Sequence, residues 1–261
     1  KSCLTRIGLT MRPFSNFLLA VFLLCVNLAF AQSTTVAVAS NMKDAFAEIA
    51  SAFKLAGKSE MRVVYGSSGN FTAQIMNGAP FSLFIAADEQ FPLELYKKGK
   101  TIDDGVVYAV GKLALIAKSQ SGVVLVDNKV ELAKIIAKVN KVAIAKPELA
   151  PYGRAAFQFL KSEGLWDLAK DKLVYGDNIG IATTYVVTGA AEIGFTALSL
   201  AKSPEVIKET NFVLLNQKLY EPIKQRMVLL RGASQEAKEL YQFMQTTQAK
   251  AILAKYGYAT P

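Results

Sequence analysis

Thr35-Val36-Ala37-Val38-Ala39-Ser40-Asn41-Met42-Lys43-Asp44-Ala45-Phe46 is the stretch that decides the fold of this chain. Its apolar first part predicts a buried strand, and Ser40-Asn41 are favoured residues at a helix start. Helical spacing of apolar residues follows at Ala45, Phe46, Ile49, Ala50 and Phe53. The first amides of such a helix lack intrahelical partners and lie at the positive end of its dipole. The stretch therefore predicts a strand-to-helix junction that can seat an anion.

Three further junctions have the same chemistry: Gly66-Ser67-Ser68-Gly69-Asn70, Pro151-Tyr152-Gly153 and Gly176-Asp177-Asn178-Ile179-Gly180. Each alone has an ordinary structural explanation, because serine, asparagine and aspartate cap helices and a tyrosine beside proline can simply pack. Their repetition, two in each half of the chain, favours a shared role. If the four junctions converge, they form a cage of amides and hydroxyls without a cation.

The first residues are expected to lie outside the fold. Met11-Arg12 gives a short basic start, residues 17–28 are almost wholly apolar, and Ala29-Phe30-Ala31 fits a small-residue cleavage site. We predict that residues 1–31 are an upstream extension plus a signal peptide that is removed. Both cysteines lie in this segment, so the mature chain has no disulfide, and export without disulfides suits a bacterial periplasm.

The positive charge does not indicate a nucleic-acid partner. The chain has 30 Lys and Arg against 21 Asp and Glu, a formal net charge of +9. The basic residues are spread as single lysines and pairs over predicted helix faces, whereas a nucleic-acid binder concentrates them on one surface. We expect a soluble surface with a weak long-range attraction for anions.

Alternating strand and helix patterns predict two α/β lobes. Three strand-helix units in succession favour a sheet that is mostly parallel, flanked by helices. The long apolar run over residues 106–116 could cross from one lobe to the other, and an apolar strand at residues 227–230 could return. We therefore assign residues 32–112 and 226–261 to lobe 1 and residues 113–225 to lobe 2, with a ligand between them.

The chain lacks the residues that several classes of enzyme require. The chain has no histidine, which removes Ser-His-Asp and Cys-His mechanisms and histidine metal sites. Ser68 with a lysine remains open as a hydrolase arrangement. No pair of carboxylates stands out as an acid/base couple.

The same junctions carry a family resemblance. Four segments of the first half resemble the periplasmic molybdate-binding protein of molybdate and tungstate ABC transporters: residues 36–41, residues 66–69 with Gln74-Ile75, residues 77–80 and residues 83–88. Residues 151–156, 192–195 and 249–258 extend the resemblance over the mature chain. It implies a type II periplasmic-binding-protein fold with two crossings between the lobes.

The resemblance also implies a function and a site. The chain would bind molybdate or tungstate between its lobes in the periplasm and deliver it to a membrane permease powered by an ATPase. It would have no catalytic activity and no cofactor, and would act as a monomer. The expected ligand-binding residues are Ser40, Asn41, Ser68, Tyr152 and Ile179. The hydroxyls and amides of Ser40 and Ser68 and the amides of Tyr152 and Ile179 would contact the oxygens of the ligand, not its metal atom.

Two positions depart from the family pattern. Some members place a tyrosine hydroxyl on the oxyanion where this chain has Ala197, and an acidic residue that often follows Gly-Ala-Pro is Ser82 here. A site for sulfate or phosphate stays the nearest alternative. A phosphate site would want an acceptor for the ligand's proton, for which Asp177 is the candidate at a junction.

Overall fold

The computed structural model describes residues 34–261. The predicted signal peptide over residues 1–31 therefore lies outside the described residues. Within the part that is described, no helix has the length and apolar character needed to cross a membrane.

The first strand and the helix after it form as their sequence pattern predicts. Strand β1 (Thr35–Ala39) is followed by a short 3-10 turn (Ser40–Met42) and helix α1 (Lys43–Leu55). Phe46 and Ile49 of α1 are fully buried, as is Val38 of β1. The apolar stripe of the helix thus packs on the sheet, and Ser40 lies where the strand ends.

Lobe 1 is built on a five-stranded sheet. Its other strands and helices are β2 (Arg62–Gly66), α2 (Ser68–Met76), β3 (Leu83–Ile85), α3 (Gln90–Lys97), β4 (Val106–Gly111), and, from the end of the chain, β10 (Ile223–Leu229), α10 (Gln235–Phe243) and α11 (Thr247–Lys255). The strand order is β2-β1-β3-β10-β4.

Lobe 2 is built on a second five-stranded sheet. Its elements are β5 (Leu113–Lys118), α4 (Lys129–Lys138), β6 (Val142–Ala145), α5 (Pro151–Ser162), α6 (Trp166–Ala169), β7 (Leu173–Gly176), α7 (Ile179–Val187), β8 (Ile193–Ala197), α8 (Leu198–Ala201), α9 (Pro204–Glu209) and β9 (Thr210–Leu214). The strand order is β7-β6-β8-β5-β9. One core cluster fills this lobe and includes Phe159 and Phe195, whose ring centroids lie 5.9 Å apart.

The predicted two-lobed α/β fold is confirmed, and its sheets are mixed. In lobe 1, β1 pairs in parallel with β2 and β3, whereas β10 pairs antiparallel with β3 and β4. Lobe 2 repeats the arrangement, with β6 parallel to β7 and β8 and with β5 antiparallel to β8 and β9. The strands of the strand-helix units are thus parallel, as expected. The strands next to the crossings, β10 and β5, are antiparallel to their neighbours.

Two crossings connect the lobes side by side. The first is Lys112, between β4 and β5, and the second is residues 215–222, between β9 and β10. Strand β10 begins at Ile223, which pairs with Gly111, whereas the sequence-based boundary of the lobes lies between residues 225 and 226. The first three residues of β10, which the sequence-based boundary assigned to lobe 2, are therefore part of the sheet of lobe 1.

A backbone contact between the lobes brings the second and third junctions together. The amide of Gly69, at the start of α2, donates to the carbonyl of Leu149, just before α5, at 2.9 Å. A β-carbon on Gly69 would lie 3.0 Å from both the α-carbon and the carbonyl oxygen of Leu149. Glycine at this position therefore permits the close approach.

An ion pair reinforces the same side of the cleft. Arg154 of α5 bonds the carboxylate of Asp88, which follows β3 in lobe 1. The Asp88 side chain is 10% exposed and the Arg154 side chain 29%. Burial raises the pKa of Asp88, while the Arg154 guanidinium acts in the opposite direction. The pair thus compensates a buried carboxylate of lobe 1 with a cation from lobe 2.

We expect Gly69→Ala to hold the cleft open without unfolding either lobe. Residues 32–261 contain no cysteine, so nitroxide labels at Lys97→Cys and Ser162→Cys, exposed in lobes 1 and 2, report the distance between the lobes. Pulsed electron resonance should show longer distances in Gly69→Ala than in the labelled parent chain. Ala73→Ser, at an exposed position of the same helix, should leave them unchanged. Identical distances in Gly69→Ala would show that the contact does not limit closure.

We expect Arg154→Gln to lower the free energy of unfolding by about 1–3 kcal/mol at neutral pH, because it leaves a buried acceptor group uncompensated. The pKa of Asp88 then rises further, since the guanidinium no longer opposes burial. The folded state binds the proton more tightly than the unfolded state, so stability falls as pH rises above the ordinary pKa of the carboxyl and returns as pH falls.

Urea titrations at acidic and neutral pH measure this dependence. Adding Asp88→Asn to Arg154→Gln should abolish it, because the double variant has no carboxyl group at this position to titrate. A loss in Arg154→Gln that is the same at both pH values would contradict the proposed coupling.

Candidate functional site

The first and fourth junctions meet through a serine hydroxyl. Ser40 is 7% exposed, and its Oγ accepts a hydrogen bond from the Gly180 amide of α7, 3.2 Å away in lobe 2. A hydroxyl has one proton to donate and two lone pairs. Because Gly180 occupies a lone pair, the proton of Ser40 stays available to a ligand.

Ser68 is arranged in the same way at the second junction. It is the first residue of α2, it is 1% exposed, and its Oγ accepts a hydrogen bond from the Ala87 amide at 2.9 Å. Its proton is therefore also available. The neighbouring Ser67 has the ordinary capping role, since its Oγ accepts a hydrogen bond from the Asn70 amide at 3.3 Å.

Tyr152 places its amide at the start of α5. Pro151 has no amide proton, and the amides of Gly153 and Arg154 both donate to the Ala150 carbonyl. Among the residues that the structure describes, no acceptor takes the Tyr152 amide. Its ring is 1% exposed, so the packed-aromatic explanation holds for the side chain while the amide stays free.

Ile179 plays the corresponding part at the start of α7. Asn178 is the helix cap: its side chain accepts a hydrogen bond from the Ile181 amide at 3.0 Å, and its carbonyl accepts one from Ala182. The Gly180 amide donates to Ser40. Of the first amides of α7, that of Ile179 therefore has no acceptor among the described residues. Asp177, the capping residue in the ordinary explanation of this junction, is not the cap.

A buried polar network lies behind Ser40. Asn41 is 1% exposed, and its Nδ2 donates to Gln225 Oε1 at 2.9 Å and to the Tyr258 hydroxyl at 2.8 Å. Gln225 Nε2 donates to the Tyr152 hydroxyl at 2.9 Å, so the network joins the lobes. Burial raises the pKa of the Tyr108, Tyr152 and Tyr258 hydroxyls well above their usual range, and they stay protonated at neutral pH.

Two ion pairs flank the junctions. Arg154 bonds Asp88, and Lys146 lies 2.6 Å from the Asp177 carboxylate. Asp177 keeps 58% of its side chain exposed, so it faces water instead of the contact between the lobes. The hydroxyls and amides at the four junctions are neutral donors, and the charged side chains of Lys43 and Asp44, which follow the first junction, line the adjoining cavity.

A cavity of about 490 Å³ borders the Ser40 contact and is lined from both lobes. Lys43 and Tyr65 line it from lobe 1, and Thr183 and Ser203 line it from lobe 2. The first and fourth junctions thus adjoin open volume between the lobes, whereas Ser68, Tyr152 and Ile179 are not among the residues that line it. Among residues 34–261, no group of three or more carboxylates is placed to hold a metal ion.

The structure brings the four predicted junctions together in two pairs. Ser40 meets the start of α7, and the start of α2 meets the turn before α5. Direct contact of Ser40, Asn41, Ser68, Tyr152 and Ile179 with a ligand stays a prediction. Ala197 is fully buried at the end of β8 and supplies no hydroxyl.

Gln225 was missed by sequence reasoning, although a signal was present. Ile223, Gln225 and Met227 alternate along β10 and are all buried. A polar residue at an inward position of a strand needs partners. Counting the alternation back from Met227 would have placed Gln225 in the interior.

Comparison with known proteins agrees with this geometry. The family described as bacterial extracellular solute-binding protein matches residues 34–259. The molybdate-binding protein ModA of Azotobacter vinelandii is 36% identical over 233 residues, which cover 88% of this chain and 91% of the relative. ModA of Rhodobacter capsulatus is 34% identical over 260 residues, 98% of this chain and 100% of the relative.

A solved structure supports the same assignment. The periplasmic molybdate-binding protein of Azotobacter vinelandii superposes with a TM-score of 0.78 at 32% identity, over 87% of this chain and 99% of that one. These findings confirm the resemblance drawn from the motifs. The matched family consists of transport binding proteins and not of enzymes. With its two lobes and the donors gathered between them, the chain belongs to the bacterial extracellular solute-binding proteins.

Proposed function

We propose that the chain captures molybdate or tungstate between its two lobes in the periplasm and delivers it to the permease of an ABC transporter, which an ATPase powers. The observation that carries the proposal is the pair of serine hydroxyls of Ser40 and Ser68. Each accepts a hydrogen bond from a backbone amide and keeps its own proton to donate. The free amides of Tyr152 and Ile179 complete a set of donors from both lobes.

A dianion suits this donor set. Hydrogen bonds from neutral donors to an ionised acceptor are stronger than those between neutral groups. The helix starts also place the positive ends of α2, α5 and α7 toward the ligand. The site therefore needs no lysine or arginine in direct contact, and Arg154 remains with Asp88.

Size is the proposed basis of selectivity. Sulfate is smaller than molybdate, so it cannot reach all the donors at once, and a donor left unpaired in a buried site is unfavourable. Molybdate and tungstate are nearly equal in size and should bind alike. Hydrogen phosphate would need an acceptor for its proton, and Asp177 is exposed and paired with Lys146.

The remaining parts of the proposal follow from the relatives. The Azotobacter vinelandii structure is named a periplasmic protein, which supports export of this chain after removal of residues 1–31. We further propose that the protein acts as a monomer, with one ligand between its lobes, and that molybdate is its ligand rather than a cofactor. A hydrolase based on Ser68 has no support, because in the described residues no lysine is hydrogen-bonded to that hydroxyl.

Calorimetric titration of ligand-stripped protein with molybdate, tungstate, sulfate and phosphate tests the proposal. We expect molybdate and tungstate to bind with similar affinity, and both much more tightly than sulfate or phosphate. Sulfate binding as tightly as molybdate would contradict the size argument.

We expect Ser68→Ala to weaken molybdate binding by about 1–3 kcal/mol, the loss of a hydrogen bond to a charged group. Ser67→Ala is the matched control: it removes an adjacent buried hydroxyl that caps α2, so it should cost about 1 kcal/mol of stability and leave affinity nearly unchanged. Equal affinities of Ser68→Ala and the unaltered protein would remove Ser68 from the site.

A further inference from the structure

Gln225 lies at the centre of the buried network that joins the two lobes. It is completely buried, and both ends of its carboxamide are bonded. Its Oε1 accepts hydrogen bonds from Asn41 Nδ2 at 2.9 Å and from the Tyr108 hydroxyl at 2.8 Å, and its Nε2 donates to the Tyr152 hydroxyl at 2.9 Å. The orientation of the Gln225 carboxamide therefore determines whether it hydrogen-bonds to Nδ2 or to Oδ1 of Asn41.

Asn41 has one buried atom that the described chain leaves without a partner. Both protons of its Nδ2 are used, one on Gln225 and one on the Tyr258 hydroxyl. Its Oδ1 receives no hydrogen bond from any described residue, although the side chain is 1% exposed. An acceptor buried in this way is unfavourable. Because Asn41 directly follows Ser40, this atom belongs to the first of the four junctions.

A second arrangement of the same network pairs the Asn41 oxygen and leaves the Asn41 Nδ2 free to donate. If the carboxamides of Asn41 and Gln225 turn together, Gln225 Nε2 donates to Asn41 Oδ1 and to Tyr108, and Gln225 Oε1 accepts from Tyr152. Tyr108 already lies 2.9 Å from the Ala86 carbonyl, to which its proton can be given.

The other end of the network accommodates the same turn. Tyr258 can donate to Asn41 Oδ1, while the Ser199 hydroxyl continues to donate to the Asn41 carbonyl at 2.8 Å. The Asn41 Nδ2 then occupies the position of the unpartnered oxygen, with two protons to donate. The two arrangements thus differ in whether Asn41 presents an acceptor or a donor at that position.

We propose that Gln225 is a positioning residue which, in the ligand-bound protein, holds Asn41 with Nδ2 toward the ligand and so selects a fully deprotonated oxyanion. This inference rests on the proposed function and deepens it. With Nδ2 presented, an oxyanion without a proton gains a donor. With Oδ1 presented, the site favours an oxyanion that carries a proton, such as hydrogen phosphate. Gln225 touches no ligand and acts through Asn41.

Gln225→Glu isolates this role with little change in shape. A carboxylate is an acceptor only, so it accepts from Tyr108, Tyr152 and Asn41 Nδ2 together and holds Asn41 with Oδ1 toward the ligand. We expect molybdate affinity to fall about tenfold or more, the effect of one lost hydrogen bond to a charged group. Gln225→Met, of similar size but without polar atoms, leaves Asn41 free to turn and should lose less affinity.

A double-mutant cycle separates positioning from the added negative charge. We expect Gln225→Glu to weaken molybdate binding strongly in the unaltered protein and much less in the Asn41→Ala background, where only the charge acts. A ¹⁵N–¹H correlation spectrum gives an independent signature: the Asn41 side-chain amide signals, identified by their loss in Asn41→Ala, should shift on adding molybdate and fail to shift in Gln225→Glu.

The outcomes distinguish this inference from the function on which it rests. Unaltered protein that bound no molybdate would overturn both. Unaltered protein that bound molybdate, with equal losses from Gln225→Glu in the presence and absence of the Asn41 side chain, would overturn the positioning role of Gln225 alone.

Discussion

The structure depends on the close approach of two helix starts from one lobe to two from the other. Gly69 permits that approach, because its backbone contacts the opposite lobe directly, and the amide of Gly180 donates to Ser40 across the cleft. Once the lobes meet in this way, the Ser40 hydroxyl lies against the start of α7, and the start of α2 lies against the turn before α5. The rest of the fold serves to hold these starts in register: two sheets that end at the cleft and two adjacent crossings that keep the lobes side by side.

Neutral hydrogen bonds and one ion pair both connect the two lobes. The cross-lobe hydrogen bonds of Ser40 and Gly69 form between neutral groups, so these two contacts bring no like charges together when the lobes close. The ion pair of Asp88 and Arg154 adds a contact outside the donor set, where it favours closure without occupying a donor. In the proposed function, the unpaired amides of Tyr152 and Ile179 bind the ligand, whose negative charge strengthens each hydrogen bond that it receives.

The features that could be predicted from the sequence are those that depend on residues close together in the chain. The apolar strand at 35–39, the capping residues after it and the helical spacing up to Phe53 all act locally, so the junctions could be located. The pairing of Asp88 with Arg154 joins residues far apart in the chain, and no local pattern indicates it. Strand β10 starts earlier than its apolar run suggests, because Lys224 is exposed and Gln225 is buried through polar partners in other elements. The antiparallel strands at the crossings likewise follow from topology and not from composition.

The most direct test of the account is a crystal structure of the protein with tungstate, with the tungsten atom located from its anomalous scattering. We expect one tungsten atom between the lobes, with ligand oxygens within hydrogen-bond distance of the Ser40 and Ser68 hydroxyls and of the Tyr152 and Ile179 amides. A tungsten atom elsewhere, or one whose oxygens are held mainly by lysine or arginine, would contradict the central claim that neutral donors from both lobes bind the ligand.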